Sequence, residues 1–568
     1  MDNMNPCSSH HITVGELIAR FLEAANVKSA FGVISIHNMP ILDAFHRRQN
    51  MRFISSRGEA GACNMADAYA RAMGGLGVFV TSTGTGAGNA AGGLIEAYTA
   101  GTPLMHLTGQ IESEFVDQDL GYIHEAPAQL AMLKAVGKGA FRIRNAASAL
   151  SVLQEAYRLA MTAPRGPVSI EIPIDVQARL LPVPQDLEPA VLSPMLPDPA
   201  KLNLLYEALR QAKRPLLWLG GGARGASGGV QRLVRLGFGV VTSVQGRGIL
   251  EESHPHTLGS YNLQKPVELF YQTCDAMLVV GSRLRSNETL KYQLRFPKRL
   301  YRIDADALAQ NKGYESDLFV LGDAALSLDA LADLLEQGLP MQIDKDLIKD
   351  LGQAKQLAQA QVDDALGPYG VLKQAVQNVA QKGMWWVRDI TLSNTMWGNR
   401  APALHHPRAG VHALGGGIGQ GLPMAIGVSL ANEDLGLKRQ TLLLCGDGGL
   451  VLNMGELACA VQERAQMVIL LMNDKSYGVI RNIQDDIYGA RHCYVDLHNP
   501  NFKTLCESLG LGFHRLEKEG DVQSVLEKAF QQTQDMQAPV LLEVDMTAWG
   551  PFKIKFAGPI LKKDQDEK

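Results

Sequence analysis

No uninterrupted apolar run in the sequence reaches the roughly 20 residues that a membrane-crossing helix needs. Charge of one sign is lacking too. Lys and Arg number 54 against 58 Asp and Glu, a formal net charge of -4, and so weak a field gives no reason to expect a nucleic acid partner. The seven cysteines are scattered without a CxxC pair. An odd count without regular spacing points to reduced thiols in a cytoplasmic protein. The opening segment, MDNMNPCSSHH, has no basic stretch followed by an apolar core, so a disordered lead is expected there rather than a signal peptide. The charged end, KKDQDEK, is expected to fray. No short tandem repeat is evident.

What the chain does have is length and alternation. Its 568 residues, 46% of them hydrophobic, exceed one ordinary core, and three domains of roughly 150–200 residues are expected. The first runs over 12–180, where helical and buried-strand patterns alternate: TVGELIARFLEAANV, SAFGV, GACNMADAYARAM, LGVFVTS, TPLMHLTG. GTGAGNAAGGLIEAYTA reads as a glycine loop that turns into a helix. The proline-rich LLPVPQDLEPAVLSPMLPDPA is an extended linker. A second unit over 200–340 contains RPLLWLGG, FGVVTSV, AMLVVGS and RLYRID; a charged stretch then leads to a third over 367–555. Such alternation predicts α/β layering around parallel sheets in all three.

Two stretches in the third unit raise a chemical question. LCGDGGLVLNMGEL places Gly446, Asp447 and Gly448 directly after a hydrophobic strand, and LLMNDKSYG ends a second strand at Asn473 and Asp474. Ligands in open α/β sheets sit at the carboxyl ends of strands. Asp474 lies 27 positions after Asp447, room for one helix and one strand, so the two turns can meet at neighbouring strand ends. Carboxylate oxygens so placed suit Mg2+ bridged to a phosphate. The plain alternative is two loops in which Gly and Asp only form turns.

The pair of turns resembles the signature of the thiamine-diphosphate-dependent enzymes, with the acetolactate synthase, benzaldehyde lyase and 2-oxo acid decarboxylase group the most similar. The resemblance runs from about Ile12 to Phe552 and implies their fold of three α/β domains. It implies thiamine diphosphate and Mg2+ as cofactors, with Asp447, Asp474 and the Ser476 carbonyl as metal ligands. The family's usual residue at position 474 is Asn; Asp is a departure that adds negative charge beside the diphosphate. Cofactor contacts are implied at Glu59, Thr391, Gly416, Ile418, Gly446, Asp447, Gly448, Gly449, Asp474, Ser476, Tyr477 and Gly478. Ile418 corresponds to the bulky residue that bends the cofactor. Glu59, at the start of an Ala-rich helix in SSRGEAGACNMADAYARA, matches the glutamate that hydrogen-bonds N1' of the aminopyrimidine. Taken alone it would be a carboxylate stabilised by the helix dipole. Many relatives have Arg-His-Glu where this chain has Arg57-Gly58-Glu59.

For the substrate side, His37 lies in the turn of FGVISIHNMP where benzaldehyde lyase has an active-site histidine, and Gln110 ends LMHLTGQ where acetolactate synthases have a glutamine directed at the cleft. Glu59, His37 and Gln110 are thus the implied catalytic residues. His124, Gln129 and Lys134 either reach a substrate carboxylate or decorate a helix surface. The adjacent histidine pair of yeast-type pyruvate decarboxylases is absent after TPLMHLTG; His10-His11 and His405-His406 stand elsewhere. That absence favours a carboligase, which decarboxylates a small 2-oxo acid such as pyruvate and joins the product to a second carbonyl. The alternatives are a decarboxylase releasing an aldehyde and a non-catalytic cofactor-binding protein. Acetolactate synthases hold a non-redox FAD in the middle domain and many relatives hold nothing there. LLWLGGGARGA alone is weak support for FAD, and Pro215, Gly220 and Asp304 suit structure alone. The family's sites lie between subunits, which implies a homodimer at least and commonly a homotetramer.

Overall fold

The computed structural model describes residues 10–556. Most of the lead and all of KKDQDEK lie outside them. Three parallel sheets organise the chain. The first comprises β1 (Ser29–Gly32), β2 (Arg52–Ser55), β3 (Gly77–Thr81), β4 (Leu104–Gln110), β5 (Gly139–Arg142) and β6 (Pro167–Pro173), in the order β2-β1-β3-β4-β6-β5. The middle sheet comprises β7 (Pro215–Leu219), β8 (Gly239–Thr242), β9 (Ala276–Val280), β10 (Arg299–Asp304) and β11 (Leu318–Leu321), in the order β8-β7-β9-β10-β11. The third comprises β12 (Met384–Arg388), β13 (Gly410–His412), β14 (Gln440–Gly446), β15 (Val468–Asn473), β16 (Gly512–Leu516) and β17 (Val540–Asp545), in the order β13-β12-β14-β15-β17-β16. The first and third sheets therefore share one topology. Their central strands, such as Leu104–Gln110, are buried from end to end, as sheets covered on both faces require.

Helix α1 (Glu59–Met73) follows β2, and α2 (Ala91–Ala100) lies between β3 and β4. In the third domain α3 (Gly421–Asp434) and α4 (Glu456–Gln462) take the equivalent places. Helices α1 and α3 pack together as the most extensive helix pair in the molecule. Ala62, Ala66, Met424, Ala425 and Val428 form part of a single core that joins the first and third domains. Small side chains permit that approach: a Cβ on Gly427 would stand 2.2 Å from the Met65 carbonyl oxygen.

Two segments differ from the sequence expectation. The glycine-rich stretch after β3 is itself helical, over Thr85–Asn89 and again from Ala91. Its glycines serve packing: Cβ atoms on Gly86 and Gly93 would press on Ser82 and on the Cys63 thiol. The charged stretch before the third domain contains a 20-residue helix, Leu347–Leu366, whose buried face carries Leu347, Leu351, Ala354, Ala358, Val362 and Leu366. Residues 183–198 have no regular element, as expected of a linker. No helix among the described residues is long and apolar enough to cross a membrane.

Candidate functional site

Strands β14 and β15 are hydrogen-bonded neighbours in which Gly446 pairs with Met472, so the turns at Asp447 and Asp474 emerge side by side. Asp447 is 1% exposed. The Asn499 side-chain amide donates to Asp447 Oδ2 at 2.6 Å and to Asn473 Oδ1 at 3.2 Å. Asp474 Oδ1 accepts from the Ser476 N–H at 3.2 Å. Burial raises the proton affinity of Asp447. Burial, and then the neighbouring Asp447 charge, raise that of Asp474. Glycines admit these contacts. A Cβ on Gly478 would meet Asp474 Oδ2 at 2.3 Å, one on Gly448 the Tyr477 ring at 2.6 Å, and one on Gly446 the Thr391 hydroxyl at 3.0 Å. Thr391, the Gly446–Gly448 turn, Asp474, Tyr477 and Gly478 are thus one cluster. A cavity of about 390 Å³ opens beside it, lined by Asp474, Ser476, Gly478, Arg481 and Lys555.

Gly416 and Ile418 lie in the loop between β13 and α3. Ile418 is 40% exposed. Asp389, at the end of β12, holds this loop: both its oxygens accept from the Gly419 N–H, at 3.1 and 3.0 Å. Burial pushes the Asp389 carboxyl up to about 6. A Cβ on Gly449 would meet Asp389 Oδ2 at 2.7 Å, which brings the Ile418 loop against the Asp447 helix.

In the first domain Glu59 is half-buried at the N-terminus of α1 and accepts from the Asn89 amide at 3.1 Å. No hydrogen bond joins it to the turns at Asp447 and Asp474 among the described residues. His37 occupies a one-turn 3-10 helix, Ile36–Asn38, and is buried rather than a surface histidine. Its Nδ1 is buried without a hydrogen-bond partner among the described residues. Its ring stands edge-on to His124, centroids 5.3 Å apart. Burial, reinforced by His124, lowers its pKa. Gln110 is buried; its amide oxygen accepts from the Ile111 N–H at 2.9 Å and lies 3.0 Å from the Thr83 hydroxyl. Gln129 is buried too, its amide donating to Glu171 at 3.0 Å and accepting from the Gly84 N–H at 2.7 Å. Lys134 is exposed.

The middle domain, where the resemblance places FAD in some relatives, borders a cavity of about 420 Å³ lined by Gly221, Gly222, Gly281, Asp304, Arg224 and Arg408 among others. Glycine backbone and guanidinium groups of this kind fit a phosphate-bearing ligand.

Family models cover most of the chain. The N-terminal thiamine pyrophosphate-binding domain of the thiamine pyrophosphate enzymes matches 12–132, their central domain 202–331 and their C-terminal thiamine pyrophosphate-binding domain 393–544. The chain belongs to the thiamine pyrophosphate enzyme family. Among its relatives, a probable acetolactate synthase large subunit of Methanococcus aeolicus is 27% identical over 542 residues, covering 90% of this chain and 89% of that protein. A probable 2-ketoarginine decarboxylase of Pseudomonas aeruginosa is 29% identical over 535 residues, 92% of each chain. A solved Mycobacterium smegmatis structure, described as a thiamin diphosphate-dependent enzyme, superposes with a TM-score of 0.76 at 22% identity, over 94% of this chain and 99% of that one; the last likeness is one of fold.

The third-domain cluster fits the family's cofactor. Two adjacent carboxylates, one buried and one half-buried, with raised proton affinity and no ion-pair partner among the described residues, suit a hard cation. No group of three or more His, Cys, Asp and Glu side chains that could hold a metal occurs among the described residues.

Sequence reasoning missed Asn499, which joins the two turns, and Glu96 and Glu456, which bond across domains. It placed Asp389 at the strand end without its hold on Gly419. These roles depend on partners tens to hundreds of positions away and leave no local pattern.

Proposed function

We propose that the protein is a thiamine-diphosphate-dependent carboligase that takes a small 2-oxo acid such as pyruvate as donor and a second carbonyl compound as acceptor. The observation that carries this reading is the pairing of buried Asp447 with half-buried Asp474 at adjacent strand ends of a domain whose family binds the cofactor. When bound, thiamine diphosphate supplies the carbon nucleophile and the electron sink for loss of CO2.

Asp447, Asp474 and the Ser476 carbonyl would hold Mg2+ at the diphosphate end of the cofactor. Thr391, Gly446, Gly448, Gly449, Tyr477 and Gly478 shape the bed for that end. The Gly416 backbone and the Ile418 side chain would hold the other end of the cofactor. Glu59 would serve the aminopyrimidine end, where a positioned carboxylate can act as acid and base. His37, kept neutral by burial, offers its ring to the substrate oxygen. Gln110 acts through position: tied to Thr83 and to the Ile111 backbone, it fixes the strand end beside which the His37 turn packs. That proximity is close, since a Cβ on Gly109 would meet the His37 carbonyl oxygen at 2.2 Å.

Exposed apolar side chains support assembly. Ile34, Ile36 and Met39 flank His37, while Ile418, Leu452 and Ile480 flank the third-domain cluster. Both patches are of the kind a second copy covers. The functional unit on this reading is a homodimer at least, with a homotetramer built from it.

The test is incubation with Mg2+, thiamine diphosphate and a panel of 2-oxo acids and carbonyl acceptors, read by mass spectrometry. Hydroxyketone with CO2 is the expected result. Aldehyde with CO2 would make the protein a decarboxylase, and turnover of no donor would remove the enzymatic reading.

A further inference from the structure

The first and third domains share a strand order, so α1 matches α3 and α2 matches α4. Two buried glutamates occupy these equivalent elements, and each reaches into the other domain. Glu456, the first residue of α4, is 2% exposed. It accepts from the Arg57 N–H with both oxygens, at 3.0 and 3.1 Å, and from the Gly58 N–H at 3.0 Å. Those are the last backbone donors before Glu59. Glu96, in α2, is 1% exposed. It accepts from the Leu414 and Gly415 N–H groups, each at 2.6 Å. Those are the last donors before Gly416.

The sequence makes room for both carboxylates in the same way. A Cβ on Gly61 would stand 2.2 Å from Glu456 Oε1, and one on Gly415 would stand 2.8 Å from Glu96 Oε2. A glycine in the first turn of a helix costs about 0.5–1 kcal/mol against alanine, so Gly61 is explained by the carboxylate that arrives there. The second contact is braced further. Arg71, of α1, donates to Glu96 at 3.1 Å and to the His412 carbonyl oxygen at 2.7 Å, so contacts at 412, 414 and 415 are fixed from the first domain. No cation hydrogen-bonds Glu456 in this way among the described residues, since the Arg57 guanidinium is turned to the Ser55 carbonyl and to Gln462.

We propose that Glu456 and Glu96 are reciprocal positioning residues, Glu456 setting the backbone that aims Glu59 and Glu96 setting the backbone that presents Gly416 and Ile418. This rests on the site reading given above. Each carboxylate replaces water at N–H groups that would otherwise be free to shift. The packing of α1 on α3 carries both contacts, so each wall of the cofactor cleft is registered against the opposite domain of its own chain. Neither glutamate is assigned a contact with substrate or cofactor.

The experiment compares Glu456→Gln, Glu456→Ala, Glu96→Gln and Glu59→Gln with the parent protein. Gln keeps one acceptor oxygen for the clamped N–H groups and Ala keeps none. Hydrogen exchange on the apoprotein should speed up at residues 57–59 in the Glu456 variants with 414–416 unchanged, and the reverse in Glu96→Gln. In the holoenzyme Glu456→Ala should lower kcat by about 100-fold, the cost of a misplacement on the order of 1 Å, with KM for the 2-oxo acid unchanged, and Glu456→Gln should recover part of that loss. Glu96→Gln should weaken cofactor binding by calorimetry. Exchange that rises everywhere together, or a Glu456→Ala protein with kcat within twofold of the parent, overturns the proposal; if the alanine variant does not fold, the exchange pattern of Glu456→Gln and Glu96→Gln decides. Full turnover in Glu59→Gln would fail the site reading instead, whereas lost turnover there with unchanged Glu456 variants fails this inference alone.

Discussion

His37 owes its chemical character to its surroundings. Burial and the neighbouring His124 ring disfavour the imidazolium, and Nδ1 has no hydrogen-bond partner among the described residues. A buried polar atom without a partner calls for an explanation, and on the proposed reading the substrate supplies it. His37→Ala is expected to retain cofactor binding while carboligation falls by about 10²- to 10⁴-fold, the range for a positioned acid or base. Steady-state rates at saturating cofactor, with circular dichroism to confirm the fold, check this; a parent rate with several acceptors would reduce His37 to a turn residue. His106 is a histidine of another kind. It stacks on Phe79 with centroids 4.3 Å apart, its ring nitrogens lie 2.9 Å from the Thr81 hydroxyl and 3.0 Å from that of Ser169, and burial lowers its pKa to about 3 from 6.5. The unfolded chain takes up the proton first, so stability is lost as the pH falls below about 6.5 and goes on falling to about 3. At pH 5 the loss from this one group is about 2 kcal/mol. His106→Gln, which does not titrate, should show a flatter shift of urea midpoint between pH 7 and pH 5; equal slopes would mean that the ring is protonated in place.

Helices in this molecule are tuned by what touches their glycines. Gly427 lies where α3 crosses α1, with no room for a methyl group beside the Met65 carbonyl. Gly352 lies in the Leu347–Leu366 helix with nothing within 4 Å of an added Cβ. Gly427→Ala should therefore lower stability by about 1–3 kcal/mol through overpacking, and Gly352→Ala should raise it by about 0.5–1 kcal/mol through helix propensity. Thermal unfolding of the two variants side by side is the check, and the same sign for both would contradict the packing described. This contrast also shows what was legible in the sequence. The strands announced themselves, since LGVFVTS, QTLLLCGD and MVILLMND are apolar runs ended by small polar residues. The Leu347–Leu366 helix was readable from its apolar residues three and four apart, but its charges drew attention first. The helical glycines at Gly86 and Gly93 were not readable, because the atoms that forbid a side chain there belong to Ser82 and Cys63. Within the candidate site, the turns at Asp447 and Asp474 stood out as strand endings, whereas Glu96 and Glu456 look like ordinary helix glutamates until the partner domain is in place.

The two half-sites lie at the carboxyl edges of two sheets of the same topology, one bearing Glu59 and His37 and the other Asp447, Asp474 and Ile418. Within the chain these domains meet through α1 and α3, and no hydrogen bond links Glu59 to either acidic turn among the described residues. If the family arrangement holds, the Glu59 edge of one copy faces the Asp447 edge of another. Two defective proteins can then repair one another. In a mixed dimer of Glu59→Gln and Asp447→Ala, one site receives both defects and the other receives neither. If each site were built within a chain, every site would carry one defect and mixing would restore nothing. Co-expressed and randomly assorted chains should therefore regain roughly a quarter of the parent activity, since about half the dimers of a closed two-fold assembly are mixed and each has one intact site. Activity of the co-purified mixture, with each variant alone as reference and sedimentation to confirm the dimer, measures this. A mixture no more active than its components, at a dimer mass, would place the whole site within one chain and would require Glu59 to reach the acidic turns by a rearrangement of α1 on α3.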